Sequence, residues 1–197
     1  MFVQIIEGRT SDGAALMARG DAWDAELRPG ATGFLGVTAG VTADGRAITC
    51  VRFKDEASAE ANGNRPEQSA WWEETSKLYD GEATFVNSTD VEEWRNGGSN
   101  DAGFVQVMKS TGIDRAVVAQ MDAAMEPLNE FRPDVIGGLR VWTGPDSCYD
   151  FAYFTSEAEA REGEKAEMPA EIAEQMEQFG DAMGETEYLD LSNPTLR

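Results

Sequence analysis

Histidine is absent from this chain of 197 residues. Without it, neither a Ser-His-Asp nor a Cys-His catalytic arrangement can form. The commonest zinc ligand and the usual proximal ligand of haem are missing as well, and so is the side chain that most often acts as general base near neutral pH. We therefore expect no metal and no cofactor, and any reaction must rely on other side chains.

Basic residues are scarce. The chain has 16 Lys and Arg residues against 37 Asp and Glu residues, and its formal net charge is −21. Nucleic acids and anionic membrane surfaces both attract clusters of positive charge, so neither is an expected partner. The excess of acidic residues favours a role in solubility, as in a high-salt cytoplasm, over a specific cationic partner.

Cysteines and long hydrophobic runs are also rare. Cys50 and Cys148 are too few for a disulfide scaffold, and we expect both thiols to be reduced and buried. No apolar run approaches the roughly 20 residues of a membrane span. The strand-like start of the chain lacks the basic segment of a signal peptide. These features predict a cytoplasmic protein.

The chain does contain an internal repeat. Phe2–Ile6 returns as Phe104–Met108, and Gly81–Asn87 returns as Gly184–Asp190, about one hundred residues later in each case. A repeat of this length predicts that one structural unit occurs twice, because each copy is close to the usual size of a small domain.

The repeat divides the chain into a first unit, a linker and a second unit, predicted at 1–87, 88–103 and 104–197. The linker is polar and rich in glycine, serine and asparagine. Each unit predicts strand, helix, strand, strand, helix, strand. In the first, the strands are predicted at 2–6, 34–41, 47–53 and 83–87, and the helices at 12–27 and 55–79. In the second, the strands are predicted at 104–108, 136–142, 148–154 and 187–191, and the helices at 114–129 and from Pro169 onwards, with Ile172, Met176, Phe179 and Met183 on one face.

This element order is the ferredoxin-like βαββαβ pattern. Its sheet is covered by helices on one face only, so the other face needs a partner. Burial of apolar strand residues stabilises by roughly 25 cal/mol per Å². We therefore predict an α+β fold in which two tandem ferredoxin-like units pack sheet to sheet as a pseudo-dimeric α/β barrel. We expect the chain to be a monomer, because the internal pseudo-dimer closes the barrel. The sequence leaves association into larger oligomers undecided.

The chain resembles the dimeric α/β-barrel superfamily and, within it, the antibiotic-biosynthesis-monooxygenase-like proteins. The resemblance rests on the strand order and on an aromatic residue that ends the third strand of each unit, Phe53 and Phe154. The segment 61–72 is similar to that of an uncharacterised actinobacterial type. Members of the superfamily include cofactor-independent oxygenases of phenolic substrates, haem-degrading enzymes that use a histidine, and proteins of no known activity. The fold alone does not choose among these functions.

The predicted helical region at 55–79 is interrupted at 62–66, and this interruption and the helix after it hold the first group of candidate binding residues. It consists of Asn62, Asn64, Arg65, Trp71 and Trp72. Aromatic side chains suit the wall of an apolar pocket, in which an amide or guanidinium orients a polar group of the ligand. The quinone-forming oxygenases that the chain resembles also have Asn and Trp in this region.

The same residues have a plain structural interpretation: a turn at Asn62, a helix start at Pro66 and ordinary packing of the tryptophans. Trp71 and Trp72 point about 100° apart on a helix, so they are not expected to face one pocket centrally. This consideration favours the structural interpretation. The second unit lacks the group, so we expect any such site in the first unit.

A second candidate set lies on the third strands of the two units. Arg52, together with Tyr149 or Tyr153, could hold an anionic or phenolic ligand. Alternatively, Arg52 extends along the sheet edge into solvent. The residues alone leave both interpretations open.

Three functions are therefore considered. The first is binding of a small apolar or aromatic molecule. The second is cofactor-independent monooxygenation of a phenolic substrate. The third is a catalytically silent structural or association module. A roomy cavity bordered by a tryptophan and Arg52 would favour the first two, and an interior filled by its own side chains would favour the third.

Overall fold

The computed structural model describes residues 1–125, 131–167, 170, 173–174 and 184–197. These residues divide into two units: Met1–Val91 with Asn193–Arg197, and Glu92–Ser192.

The first unit contains the two helical regions and four strands that its sequence predicts. They are β1 (Phe2–Arg9), α1 (Gly13–Glu26), β2 (Phe34–Val41), β3 (Arg46–Phe53), α2 (Glu56–Gly63), α3 (Pro66–Ser76) and β4 (Thr84–Ser88). The predicted helical stretch at 55–79 is two helices, because Asn64 and Arg65 leave the helix and Pro66 begins the next one. Asp12 caps α1 by accepting a hydrogen bond from the backbone N–H of Ala15 at 3.0 Å.

The sheet of the first unit is antiparallel, in the order β10-β2-β3-β1-β4, where β10 is Thr195–Leu196. The β2–β3 turn contains Asp44-Gly45. Gly45 has a φ of +82°, and a side chain there would meet the carbonyl oxygen of Thr10 at 2.7 Å. Both facts require glycine at this position.

The second unit repeats this topology. Its elements are β5 (Val91–Trp94), β6 (Phe104–Thr111), α4 (Arg115–Met125), β7 (Val135–Trp142), β8 (Ser147–Phe154), α5 (Glu157–Lys165) and β9 (Glu185–Leu191). The strand order is β5-β7-β8-β6-β9, again antiparallel. The part of the predicted α4 helix at 126–129 and the predicted face of Ile172, Met176, Phe179 and Met183 lie outside the described residues.

The α+β fold class is therefore confirmed, with two ferredoxin-like units in tandem. Two short strands were not predicted. β5 lies in the segment 88–103 that the sequence assigns to a linker, and β10 places the last residues in the sheet of the first unit. Gly138 of β7 makes room for β5, because a side chain there would lie 1.7 Å from the Trp94 ring. These strands are too short for an alternating pattern to reveal them.

Candidate functional site

A cavity of about 390 Å³ lies within the first unit, between its sheet and its helices. One wall is the sheet face of Gln4, Ile6, Thr49, Val51 and Phe53. The facing wall comes mainly from α1 and α3, with Leu16, Gly20, Trp23, Trp71 and Trp72 among its residues. The α1 residues share a face because their spacing follows the helical repeat.

Three of the predicted candidates border this cavity: Asn62, Trp71 and Trp72. Arg65 does not line the cavity, and it donates a hydrogen bond to Asn62. The second candidate set lies elsewhere. Arg52 lies on the other side of β3 from the strand residues that line the cavity, because side chains alternate along a strand.

Trp71 and Trp72 border different parts of the cavity. The Trp71 Nε1–H donates to the backbone oxygen of Arg19 on α1 at 3.1 Å. The Trp72 ring packs edge-on against Phe85 on β4, with centroids 5.0 Å apart, and lies 6.0 Å from the Tyr79 ring. Both tryptophans can border one cavity without both facing its centre, because the cavity extends from α1 to β4.

Asn62 is held in one orientation by its neighbours. It is 8% exposed at the end of α2. Its Oδ1 accepts a hydrogen bond from Arg65 Nη1 at 2.9 Å, and the same nitrogen donates to the backbone oxygen of Leu27 at 3.0 Å. Arg65 packs against Gly30, where a Cβ would lie 2.5 Å from its Nη2 atom. Arg65 therefore positions Asn62 rather than lining the cavity.

Gln68 is a cavity residue that the sequence did not single out. Its Oε1 accepts a hydrogen bond from Trp23 Nε1 at 2.6 Å, and the Trp23 ring lies 5.1 Å from that of Phe34. The partner is on α1, far along the chain, so no local sequence signal could have revealed this contact.

Tyr79 also borders the cavity. Its ring lies against Gly8, where a Cβ would come within 2.5 Å of the Tyr79 Cδ1 atom. Burial raises the pKa of the Tyr79 hydroxyl to about 12, so it is neutral at physiological pH. Among the described residues, no hydrogen bond to this hydroxyl is found.

The charged residues that line the cavity are paired with each other. Arg197 Nε lies 3.3 Å from the Asp24 carboxylate, which also accepts a hydrogen bond from Arg28 at 2.9 Å. Within the described part of the chain, the lining includes no other charged side chain. The cavity therefore suits a neutral, largely apolar molecule with a small polar group.

Arg52, Tyr149 and Tyr153 are all buried. Arg52 is 8% exposed, so the alternative in which it extends into solvent is wrong. Its guanidinium lies over Gly36, where a Cβ would be 2.4 Å from Nη2. Its Nε has no hydrogen-bond partner among the described residues. Tyr149 and Tyr153 belong to β8 of the second unit, and the ammonium group of Lys109 lies 5.3 Å from the Tyr149 ring centre.

Both cysteines are free and buried, as predicted. Burial raises the pKa of the Cys50 thiol to about 12, which makes it a poor nucleophile. In the described residues, no three Cys, Asp or Glu side chains come together in a way that could hold a metal ion. None of the helices in the described ranges is both long and apolar enough to cross a membrane.

No family model and no curated protein sequence matches the chain. Solved structures do match it. A proposed monooxygenase from Lactobacillus acidophilus superposes with a TM-score of 0.71 at 11% identity, over 100% of this chain and 98% of that one. An anthrone oxidase-like protein gives 0.61 at 9% identity, over 100% and 92%.

A third matched structure is described as having the ferredoxin fold. It is an uncharacterised ferredoxin-fold protein from Listeria monocytogenes, related to antibiotic biosynthesis monooxygenases. It matches with a TM-score of 0.51 at 11% identity, over 99% of this chain and 95% of that one. The chain thus has, along its whole length, the fold of the proteins related to antibiotic biosynthesis monooxygenases.

Proposed function

We propose that the protein binds a small apolar or aromatic molecule in the cavity of the first unit. The observation that carries this proposal is the cavity itself, walled by Trp23, Trp71, Trp72 and Phe53 and free of unpaired charge. An apolar cavity of about 150 Å³ holds benzene, so one of about 390 Å³ has room for two or three fused rings. The open cavity favours ligand binding over a silent association module.

A variant at Gly20 tests this proposal. Gly20 lines the cavity on the same face of α1 as Leu16 and Trp23, and a Cβ there would meet no atom within 4 Å. Gly20→Leu should therefore fill part of the cavity without disturbing its walls. Gly20→Ala is the matched control, because it adds one methyl group and leaves most of the space.

The measurement is calorimetric titration with 2-naphthol, a two-ring phenol. We expect wild type and Gly20→Ala to bind it with similar affinity, and Gly20→Leu to bind at least tenfold more weakly, since the ring and the new side chain compete for one space. Both variants should unfold at or above the wild-type temperature, because glycine inside a helix costs about 1 kcal/mol relative to alanine. No binding by wild type, or equal binding by Gly20→Leu, would overturn the proposal.

Cofactor-independent monooxygenation of a phenolic substrate is the second candidate function. It is favoured by the Asn62 amide and the Tyr79 hydroxyl at an aromatic wall, and by the names of two of the matched structures. In such a reaction a phenolate reduces dioxygen. One oxygen atom forms a C–O bond that becomes a quinone carbonyl, and the other leaves as water. The cavity would bind the phenolate and exclude bulk water.

The charged lining limits how the proton is removed. Asp24 is the carboxylate among the described lining residues, and it is bound by Arg28 and Arg197. Tyr79, whose pKa is raised to about 12, is no base at neutral pH. Dioxygen consumption should therefore rise with pH along the pKa of the phenol, and should shift when a more acidic phenol is used. A profile that stays fixed for all phenols would contradict this account.

A further inference from the structure

Two side-chain amides in the cavity wall, Asn62 and Gln68, are fixed by partners that can only donate hydrogen bonds. A side-chain amide has one carbonyl oxygen, which accepts, and one NH₂ group, which donates. When a neighbour can only donate, the amide oxygen must turn towards it. The NH₂ group is then directed elsewhere.

For Asn62 the partner is the Arg65 guanidinium, which has no acceptor. Its Nη1 lies 2.9 Å from Asn62 Oδ1. Arg65 is itself held by the backbone oxygen of Leu27 at 3.0 Å and by Glu67 at 2.9 Å. Turning the Asn62 amide over would place N–H against N–H, so its orientation is determined.

For Gln68 the partner is the indole of Trp23, which also has no acceptor. The Trp23 Nε1–H lies 2.6 Å from Gln68 Oε1. Trp23 packs on Phe34 with ring centroids 5.1 Å apart, which limits its rotation. The same argument therefore fixes the Gln68 amide.

Both NH₂ groups are left without an acceptor in the described part of the chain. Both residues line the same cavity, so a ligand there can supply the missing acceptor. The neutral Tyr79 hydroxyl adds a third group that can donate. The helix side of the cavity thus offers hydrogen-bond donors to a ligand.

From this we infer that the cavity selects aromatic ligands whose oxygen only accepts hydrogen bonds, a carbonyl or a phenolate, and that Asn62 and Gln68 donate to it. Arg65 and Trp23 act as positioning residues. This inference rests on the proposed binding function. It also fits the second candidate function, because a phenolate substrate and a quinone product both carry oxygens of this kind.

The test compares 9-fluorenone with fluorene, two inert tricyclic molecules of nearly equal shape. Only the ketone carries an acceptor. Binding is followed by calorimetry or by quenching of tryptophan fluorescence. Wild type should bind the ketone about tenfold more tightly than the hydrocarbon, as expected for two neutral hydrogen bonds.

Asn62→Asp and Gln68→Glu replace each NH₂ group by an oxygen of the same size. They keep the oxygen that Arg65 or Trp23 binds. Each should lower the ketone-to-hydrocarbon ratio about threefold or more, and the double variant should bring it to about one, while fluorene binding stays the same. Asn64→Asp is the matched control, because Asn64 is exposed and does not line the cavity. It adds the same negative charge and should leave the ratio near its wild-type value.

The positioning role of Trp23 is tested with Trp23→Phe, which keeps an aromatic ring and removes the N–H. Fluorene should still bind, and the ratio should fall about threefold, because the Gln68 amide is free to turn. A purely structural role for Trp23 would change both affinities equally.

The outcomes separate the two proposals. Equal affinity of wild type for both molecules, or an unchanged ratio in the double variant, would overturn the donor assignment and leave ligand binding intact. Failure of wild type to bind either molecule would overturn both.

Discussion

Three matched positions carry uncharged residues in the first unit and charged residues in the second. In the first unit they are Gly20, Ala39 and Thr49, which all line the cavity. The repeat matches these positions with Asp122, Arg140 and Asp150 of the second unit. Ala39 pairs with Thr49 across β2 and β3, as Arg140 pairs with Asp150 across β7 and β8.

The three charged residues of the second unit form one network, in which the Arg140 side chain is buried and the Asp122 side chain is 47% exposed. Arg140 Nε donates to Asp150 at 2.8 Å, and its Nη1 lies 2.5 Å from Asp122 on α4. Asp150 also accepts a hydrogen bond from Cys148. Large ion-paired side chains therefore bridge sheet and helix where the first unit has small residues and open space. The first unit thus has room for a ligand, and the second unit uses the matched positions for contacts between charged side chains.

The largest expected effect comes from breaking this network. Arg140→Met would leave the Asp150 carboxylate buried without its cation, which should lower the free energy of unfolding by about 3–5 kcal/mol. Urea unfolding measures it. Arg140→Met combined with Asp150→Leu should recover much of the loss. A loss below about 1 kcal/mol in the single variant would show that the network does not hold the second unit together.

Transplanting the network into the first unit should close the cavity. Gly20→Asp, Ala39→Arg and Thr49→Asp together place the charged trio of the second unit at the matched positions. We expect affinity for 2-naphthol to fall at least a hundredfold, about 2.7 kcal/mol, because polar side chains fill an apolar site. Circular dichroism and urea unfolding verify that the variant is folded. Undiminished binding in a folded variant would break the comparison.

The sequence predicted the strands well, because the apolar segments of β1, β2 and β3 recur in the second unit. It also predicted the break before Pro66 and three cavity residues, Asn62, Trp71 and Trp72. It could not predict which face of the sheet borders the cavity. For that reason Arg52, Tyr149 and Tyr153 were nominated although none of them lines the cavity.

Other features depend on contacts between distant parts of the chain. The pairing of Trp23 with Gln68 joins α1 to α3, and β10 reaches the first sheet from the far end of the sequence. The sequence alone does not show that Gly20, Ala39 and Thr49 line one cavity, because they are distant along the chain.

A smaller effect is expected from Tyr79, whose pKa is raised to about 12 by burial. The unfolded chain loses this proton near pH 10, before the folded chain does. The contribution of the Tyr79 hydroxyl to the free energy of unfolding is therefore fully present below about pH 10. It falls by up to about 2 kcal/mol as the pH rises to 12. The difference between wild type and Tyr79→Phe isolates this loss, because the other titrating groups are common to both. A difference that does not vary with pH would show that the hydroxyl is in contact with solvent.

The most direct test of the asymmetry between the units is the stoichiometry of ligand binding. Titration calorimetry with 2-naphthol on the full chain should give one molecule bound per chain, and Gly20→Leu should weaken that binding at least tenfold. Two molecules bound per chain, or one whose affinity Gly20→Leu leaves unchanged, would contradict the assignment of the site to the first unit.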